Sequence, residues 1–201
     1  MARIFLTGGS GFVGSHVLPA LLAAGHEVVA LARTPRAAAA ITQRNASDAT
    51  RLTTRIGDVT DAASLPAALA GCDAIVHLVA IPRDWSKGAD LLRINTVGSE
   101  TLIAAASAAG ITRFVHLGAL GVEDREELHY AKSKARAERA VRESSLDWTI
   151  LKPSLIWGER DGFFNIVAAL VKIPAPAVPV PGNGKSRFQP IWVGDVARAI
   201  V

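Results

Sequence analysis

Phe5-Leu6-Thr7-Gly8-Gly9-Ser10-Gly11-Phe12-Val13-Gly14 decides how this chain folds, because an apolar run ends in glycines at every third position and then turns helical. Arg3 to Leu6 reads as a short strand, and Phe12 to Ala24 carries apolar residues at helical spacing until Gly25 closes the segment. The glycines therefore stand at a strand-to-helix junction. There Gly8 permits a tight turn, Gly11 lets the backbone approach a pyrophosphate, and Gly14 lets helix and strand pack closely. The free amides and the positive dipole end of the helix then favour an anion, with Thr7, Gly9, Ser10, Phe12 and Val13 completing the phosphate-binding stretch.

In a chain with 17 glycines such a pattern needs context. Further strand patterns lie at Glu27–Leu31, Leu52–Ile56, Ala74–Leu78, Arg113–Leu117 and Trp148–Leu151, and helix patterns at Asp61–Ala70, Ala89–Ala109 and Arg125–Ser144. Alternation of this kind predicts an α/β fold, a Rossmann-type doubly wound parallel sheet whose ligand crevice lies beyond the carboxyl ends of the strands. Residues 1–152 are expected to form the dinucleotide-binding domain and 153–201 a small, partial substrate region.

With 201 residues, half of them hydrophobic, the chain buries one sizeable core. The net charge of +4 suits an anionic ligand, but the basic residues are scattered, which argues against a nucleic-acid partner. Cys72 is the sole cysteine, so an internal disulfide and a Cys-based metal cluster are both excluded, and no metal site is expected. No apolar run reaches the ~18 residues of a membrane span, and the N-terminus enters a strand without a basic leader. The expectation is a cytoplasmic chain with a small-molecule substrate.

The residues just past each strand carry the site. After the second strand comes Ala32-Arg33-Thr34-Pro35-Arg36, with no acid where an NAD site places one; Arg33 there suits a ribose 2′-phosphate and predicts NADP(H) over NAD(H). Asp58 and Val59 follow the third strand where adenine would lie, Asp58 being equally suited to cap the next helix. Val79 and Ala80 run under the cofactor after the fourth strand, and Pro82 to Gly88 is a polar loop containing Trp85. Tyr130, the only tyrosine, precedes Lys134 by one helical turn, so the two share a face. A lysine ammonium beside a phenol favours the phenolate, making Tyr130 a candidate general acid or base and Lys134 a group that also holds nicotinamide ribose.

These features together resemble the short-chain dehydrogenase/reductase superfamily, in its extended or atypical form related to NAD-dependent epimerases and dehydratases. The likeness rests on Thr7 to Gly14, Asp58-Val59, Asn95-Thr96-Val97-Gly98, Tyr130 with Lys134, and Lys152 to Gly158. Val115 to Gly121 and Arg187 to Ala197 resemble the branch that includes an accessory subunit of respiratory complex I. The resemblance implies NADP(H)-dependent oxidation or reduction at a carbonyl or alcohol. It assigns Asn95 to a proton path ending at Lys134, and places Pro153 and Ser154 beside the nicotinamide. Two alternatives stay open: a non-catalytic NAD(P)H-binding subunit or redox-responsive interaction protein, and a nucleotide-sugar epimerase or dehydratase.

One departure stands out. Where the family places a Ser or Thr hydroxyl just past the fifth strand, this chain has Gly118 and Ala119. Loss of such a donor costs on the order of 10²–10³ in rate. Beyond residue 152, Asp161 to Lys172 reads as an amphipathic helix, Pro174 to Pro181 as an extended connector, Asn183-Gly184 as a turn, and Asp195 onward as a helix. Because members of the family it resembles generally continue with further substrate-domain elements, the resemblance implies a substrate lobe that is incomplete at Val201.

Overall fold

The computed structural model describes residues 1–172, Asn183, Lys185 and residues 187–201. The expected connector at Pro174 to Pro181, and Gly184 of the expected turn, lie outside the described residues. Strands β1 (Arg3–Thr7), β2 (Glu27–Ala32), β3 (Leu52–Ile56), β4 (Ala74–His77), β5 (Arg113–Leu117) and β6 (Asp147–Leu151) form one parallel sheet in the order β3-β2-β1-β4-β5-β6. This is the doubly wound order, and the strand sequence reverses between β1 and β4, where such sheets open a ligand crevice.

The sheet is buried on both faces. Ile4 and Leu6 of β1 join α1 (Gly14–Ala23), α2 (Pro35–Arg44) and α8 (Val193–Ile200) in one core, through Leu18, Leu21, Ile41 and Val196. Phe5 points the other way, with α3 (Pro66–Leu69), α5 (Gly98–Ala108) and α6 (His129–Glu143), into a core holding Leu69, Leu102 and Val141. Alternation along one strand thus feeds two helical layers.

Several elements differ from the spacing-based expectation. Helix α2 forms in what reads as loop: Pro35 takes the first helical position and the Thr34 hydroxyl accepts from the Ala37 amide at 3.2 Å. Only Ile41 of this helix is buried, so it has almost no apolar stripe to detect. The expected helix at Asp61–Ala70 divides into a 3-10 turn, Ala62–Ser64, and α3. The one expected at Ala89–Ala109 is interrupted: after α4 (Ala89–Leu91) a π turn spans Leu92–Val97 before α5 begins. Turns of this type cluster at functional sites, and this one carries Asn95. Helix α7 (Phe164–Val171) buries none of its residues, unlike the amphipathic segment expected there. The two-residue strands β7 (Ile156–Trp157) and β8 (Ile191–Trp192) pair in parallel beside α8.

Candidate active site

The glycine turn joins β1 to α1 with each glycine in a distinct role. Gly8 has φ +77°, and a Cβ on it would lie 3.0 Å from the Leu78 carbonyl carbon, so the segment just past β4 closes against bare backbone. The Gly11 amide donates to the Gly8 carbonyl at 3.0 Å, tightening the turn. A Cβ on Gly14 would overlap the Gly8 carbonyl oxygen and sit 2.7 Å from Gly9 Cα, which is backbone on both sides. Gly9 is different: its Cβ would meet only side chains at ordinary contact, the nearest Leu6 Cδ2 at 3.4 Å. Thr7 is fully buried, its hydroxyl turned into the core, while Ser10 and Gly11 are exposed on the turn and Phe12 and Val13 lead into α1.

Beyond the turn lies a cavity of about 370 Å³, lined by Gly8, Ser10, Arg33, Asp58, Val59 and Val79 among others. Ala80 lines it too, so the sequence-selected positions after β2, β3 and β4 meet in one space. Asp58 Oδ1 accepts from the Thr60 amide and hydroxyl, both at 2.9 Å, so this carboxylate shapes its own loop as well as the cavity wall. Val59 packs so close to α5 that a Cβ on Gly98 would stand 2.8 Å from its Cγ2. An anion-accepting glycine cradle opening onto a cavity with a basic side chain fits a dinucleotide.

Tyr130 opens α6 and Lys134 follows one turn later. Tyr130 is 37% exposed, yet partial desolvation raises its phenol above the usual value. Lys134 is buried; burial lowers its ammonium to about 8, against the opposing pull of Glu138, and it donates to the Leu117 carbonyl at 2.6 Å. The phenol is thus raised where the spacing with lysine leads one to expect a lowering, because desolvation is the cause acting on it and the Lys134 ammonium donates to the Leu117 carbonyl. Asn95 is also committed: its side chain accepts from the Ile81 amide at 2.8 Å, donates to the Ile81 carbonyl at 3.0 Å, and donates to Ser133 Oγ at 3.0 Å. It clamps the segment after β4 to α6.

The departure at Gly118 has a steric cause. A Cβ there would lie 2.6 Å from Glu138 Oε1 and 3.1 Å from Ile150 Cγ2. Glu138 is buried, accepts from the Ala119 amide at 3.2 Å and pairs with Lys152 Nζ at 2.9 Å. A carboxylate thus occupies the space a side chain at 118 would need. The loop is fixed further where the Leu120 amide donates to the Pro153 carbonyl at 2.9 Å; Ser154 follows, partly buried.

A family model described as NAD(P)H-binding matches residues 8–170. The chain belongs to this NAD(P)H-binding family. It is 32% identical over 181 residues to the 4-hydroxy-2-methyl-3-oxo-4-farnesyl-3,4-dihydroquinoline-1-oxide ketoreductase of Stigmatella aurantiaca, covering 81% of this chain and 52% of that protein. It is 25% identical to the mitochondrial NADH dehydrogenase [ubiquinone] 1 alpha subcomplex subunit 9 of Arabidopsis thaliana, covering all of this chain and 49% of that one. Among solved structures, the DesIV dTDP-glucose 4,6-dehydratase of Streptomyces venezuelae, a double mutant with NAD bound, superimposes with a TM-score of 0.81 at 28% identity, covering 98% of this chain and 70% of that one. The chain thus spans about half the length of these curated relatives.

This NAD(P)H-binding chain is an atypical, epimerase-like member of the short-chain dehydrogenase/reductase group, with a nicotinamide cofactor. No helix among the described residues is long and apolar enough to cross a membrane, and no cluster of His, Cys, Asp or Glu suited to a metal occurs among them. Sequence reasoning missed His77, Ser99, His116 and Glu138. His77 and His116 are polar residues inside apolar runs, and a buried polar residue there was the available signal.

Proposed function

We propose that this chain is the dinucleotide-binding portion of an NADPH-dependent reductase acting on a ketone, with Tyr130 as proton donor. The observation that carries the reading is Tyr130 with Lys134 at the start of α6, beyond the carboxyl end of β5 and within a chain of the NAD(P)H-binding family. A nicotinamide cofactor held over the glycine turn and the cavity wall at Arg33 and Val79 would supply hydride chemistry at the carbonyl carbon. Tyr130, its phenol held protonated by desolvation, gives its proton to the carbonyl oxygen, so the product is the alcohol. The Asn95 clamp on Ile81 keeps the floor of the site in place.

Arg33, exposed on the cavity wall after β2 with no acid beside it, supports a 2′-phosphate and hence NADPH. The Stigmatella relative, a ketoreductase by name, supports a ketone substrate. A second reading, an NAD(P)H-binding subunit without turnover, is favoured by the absent hydroxyl at Gly118 and Ala119 and by similarity to the Arabidopsis complex I subunit.

Titration of NADPH and NADH, then NADPH oxidation against a panel of apolar ketones, tests both parts. Arg33→Asp is expected to weaken NADPH by about tenfold or more, close to 1.4 kcal/mol, while sparing NADH. Tyr130→Phe is expected to abolish turnover with binding intact. Equal affinity for both dinucleotides in the parent chain removes the NADPH preference, and turnover surviving in Tyr130→Phe removes the proton donor.

A further inference from the structure

Thr7, His77 and His116 stand opposite one another on β1, β4 and β5, forming a polar row across the sheet near its carboxyl edge. All three are buried, at 0%, 0% and 1% exposure. The hydroxyl protons fix the state of the middle ring. Ser99 donates its proton to the Asn95 carbonyl at 2.7 Å, so its oxygen is left to accept from His77 Nε2 at 3.0 Å. His77 Nδ1 is then an acceptor, and it takes the Thr7 hydroxyl at 2.7 Å; the Thr7 oxygen in turn accepts from the Leu78 amide at 3.2 Å. Every polar atom of the imidazole is satisfied only in the neutral, Nε2-protonated form.

The chain of bonds does not stop at Asn95. Its amide grips both backbone groups of Ile81 and reaches Ser133, whose hydroxyl donates to the Tyr130 carbonyl at 2.8 Å. Thr96 ties the same turn to the Ser133 carbonyl at 2.9 Å. Two runs of hydrogen bonds, joined through Asn95 from its backbone carbonyl to its side-chain amide, therefore link the residue before the glycine turn, through His77, to the first turn of α6. The titratable groups facing the His77 ring are His116, with centroids 5.4 Å apart, and Lys134; neither is an acid that would favour its charged form.

We propose that His77 is a positioning residue: its Nε2–H, passed through Ser99, holds the Asn95 turn, and with it Ile81 and Tyr130, in register with the cofactor turn. Its ring does not meet the reacting atoms. Only the kinetic part of the test rests on the reductase reading. A neutral hydrogen-bonded donor can be imitated by the amide nitrogen of glutamine and not by leucine, which separates positioning from mere space-filling.

The experiment uses the chain with His77→Gln and His77→Leu, and three measurements. Ring-nitrogen NMR of the parent chain is expected to show His77 protonated at Nε2 alone and unchanged between pH 5 and 8; a doubly protonated ring or the Nδ1 tautomer overturns the proposal. Exchange of the Ile81 amide with solvent is expected to quicken about tenfold in His77→Leu and to return near the parent rate in His77→Gln. Ketone reduction is expected to lose roughly tenfold to a hundredfold in kcat in His77→Leu, with recovery in His77→Gln and NADPH affinity within about threefold throughout. Glutamine failing as badly as leucine, or kcat and affinity falling together, overturns it. If the parent chain reduces no ketone, the reductase reading falls, while the NMR and exchange measurements still decide the role of His77.

Discussion

At the glycine turn, Gly8 and Gly14 work by having no side chain, and the atoms they must avoid are mostly those of their own turn and of the segment just past β4. At the reaction end, Lys134 and Asn95 work through side chains whose partners come from residues 14 to 38 positions away: Leu117 for Lys134, Ile81 and Ser133 for Asn95. The first region is a backbone device, intolerant of an added atom at Gly8 or Gly14. The second is a network, in which one altered group is felt by its neighbours along the path. The two regions should therefore fail differently, the cradle all at once and the network by degrees.

The largest effect is expected from Gly14→Ala, where the added methyl meets backbone that cannot yield. Affinity for NADPH should fall by roughly a hundredfold, or the chain should unfold, since overpacking of this kind costs about 1–3 kcal/mol or more. Gly9→Ala, whose methyl meets only movable side chains, should stay within about threefold. Calorimetric titration with thermal melts of both variants checks this. If both alanines are equally harmless, the cradle is not the backbone device described.

Acid stability probes the network. Unfolded, His77 and His116 take up protons near their ordinary 6.5; folded, burial and Lys134 hold His77 down to about 3 and His116 well below its usual value. Below pH 6.5 the unfolded state therefore binds more protons, and stability falls on acidification by up to about 1.4 kcal/mol per pH unit for each ring. His116 has no hydrogen-bond partner at either nitrogen among the described residues, so His116→Leu should flatten the profile without lowering stability at pH 7. Urea midpoints from pH 7 to 4 measure it. A flat parent profile contradicts the buried neutral rings.

The smallest effect on function concerns the absent hydroxyl. Gly118→Ser should cost about 1–3 kcal/mol in stability and give no gain in rate, because its side chain runs into Glu138 and Ile150. Ala119→Ser adds a hydroxyl without that collision and should raise single-turnover ketone reduction by at most about tenfold, an introduced donor being seldom placed well. A rate gain from Gly118→Ser would mean that Glu138 moves readily, and the matched fit of glycine and carboxylate would be lost.

The glycine turn, the six strands and the Tyr130 to Lys134 spacing were legible in the sequence because each depends on neighbours within a turn or two of chain. Steric limits on φ and the periods of helix and strand act over that distance and leave their mark on residue type. Helix α2 shows where that signal fades, since a segment burying only Ile41 carries no stripe. Thr7 and His77 are 70 positions apart, and nothing local says that they face each other; the register of β1 on β4 decides it. Likewise Gly118 reads as a lost hydroxyl until α6 lays Glu138 against it, and Lys134 reads as an ordinary ammonium until burial lowers it. The sequence determined which backbone could form and which residue types stood near the cleft. Only packing decided their partners and their charge, because desolvation and hydrogen-bond geometry are set by groups that meet once the sheet and its helices have closed.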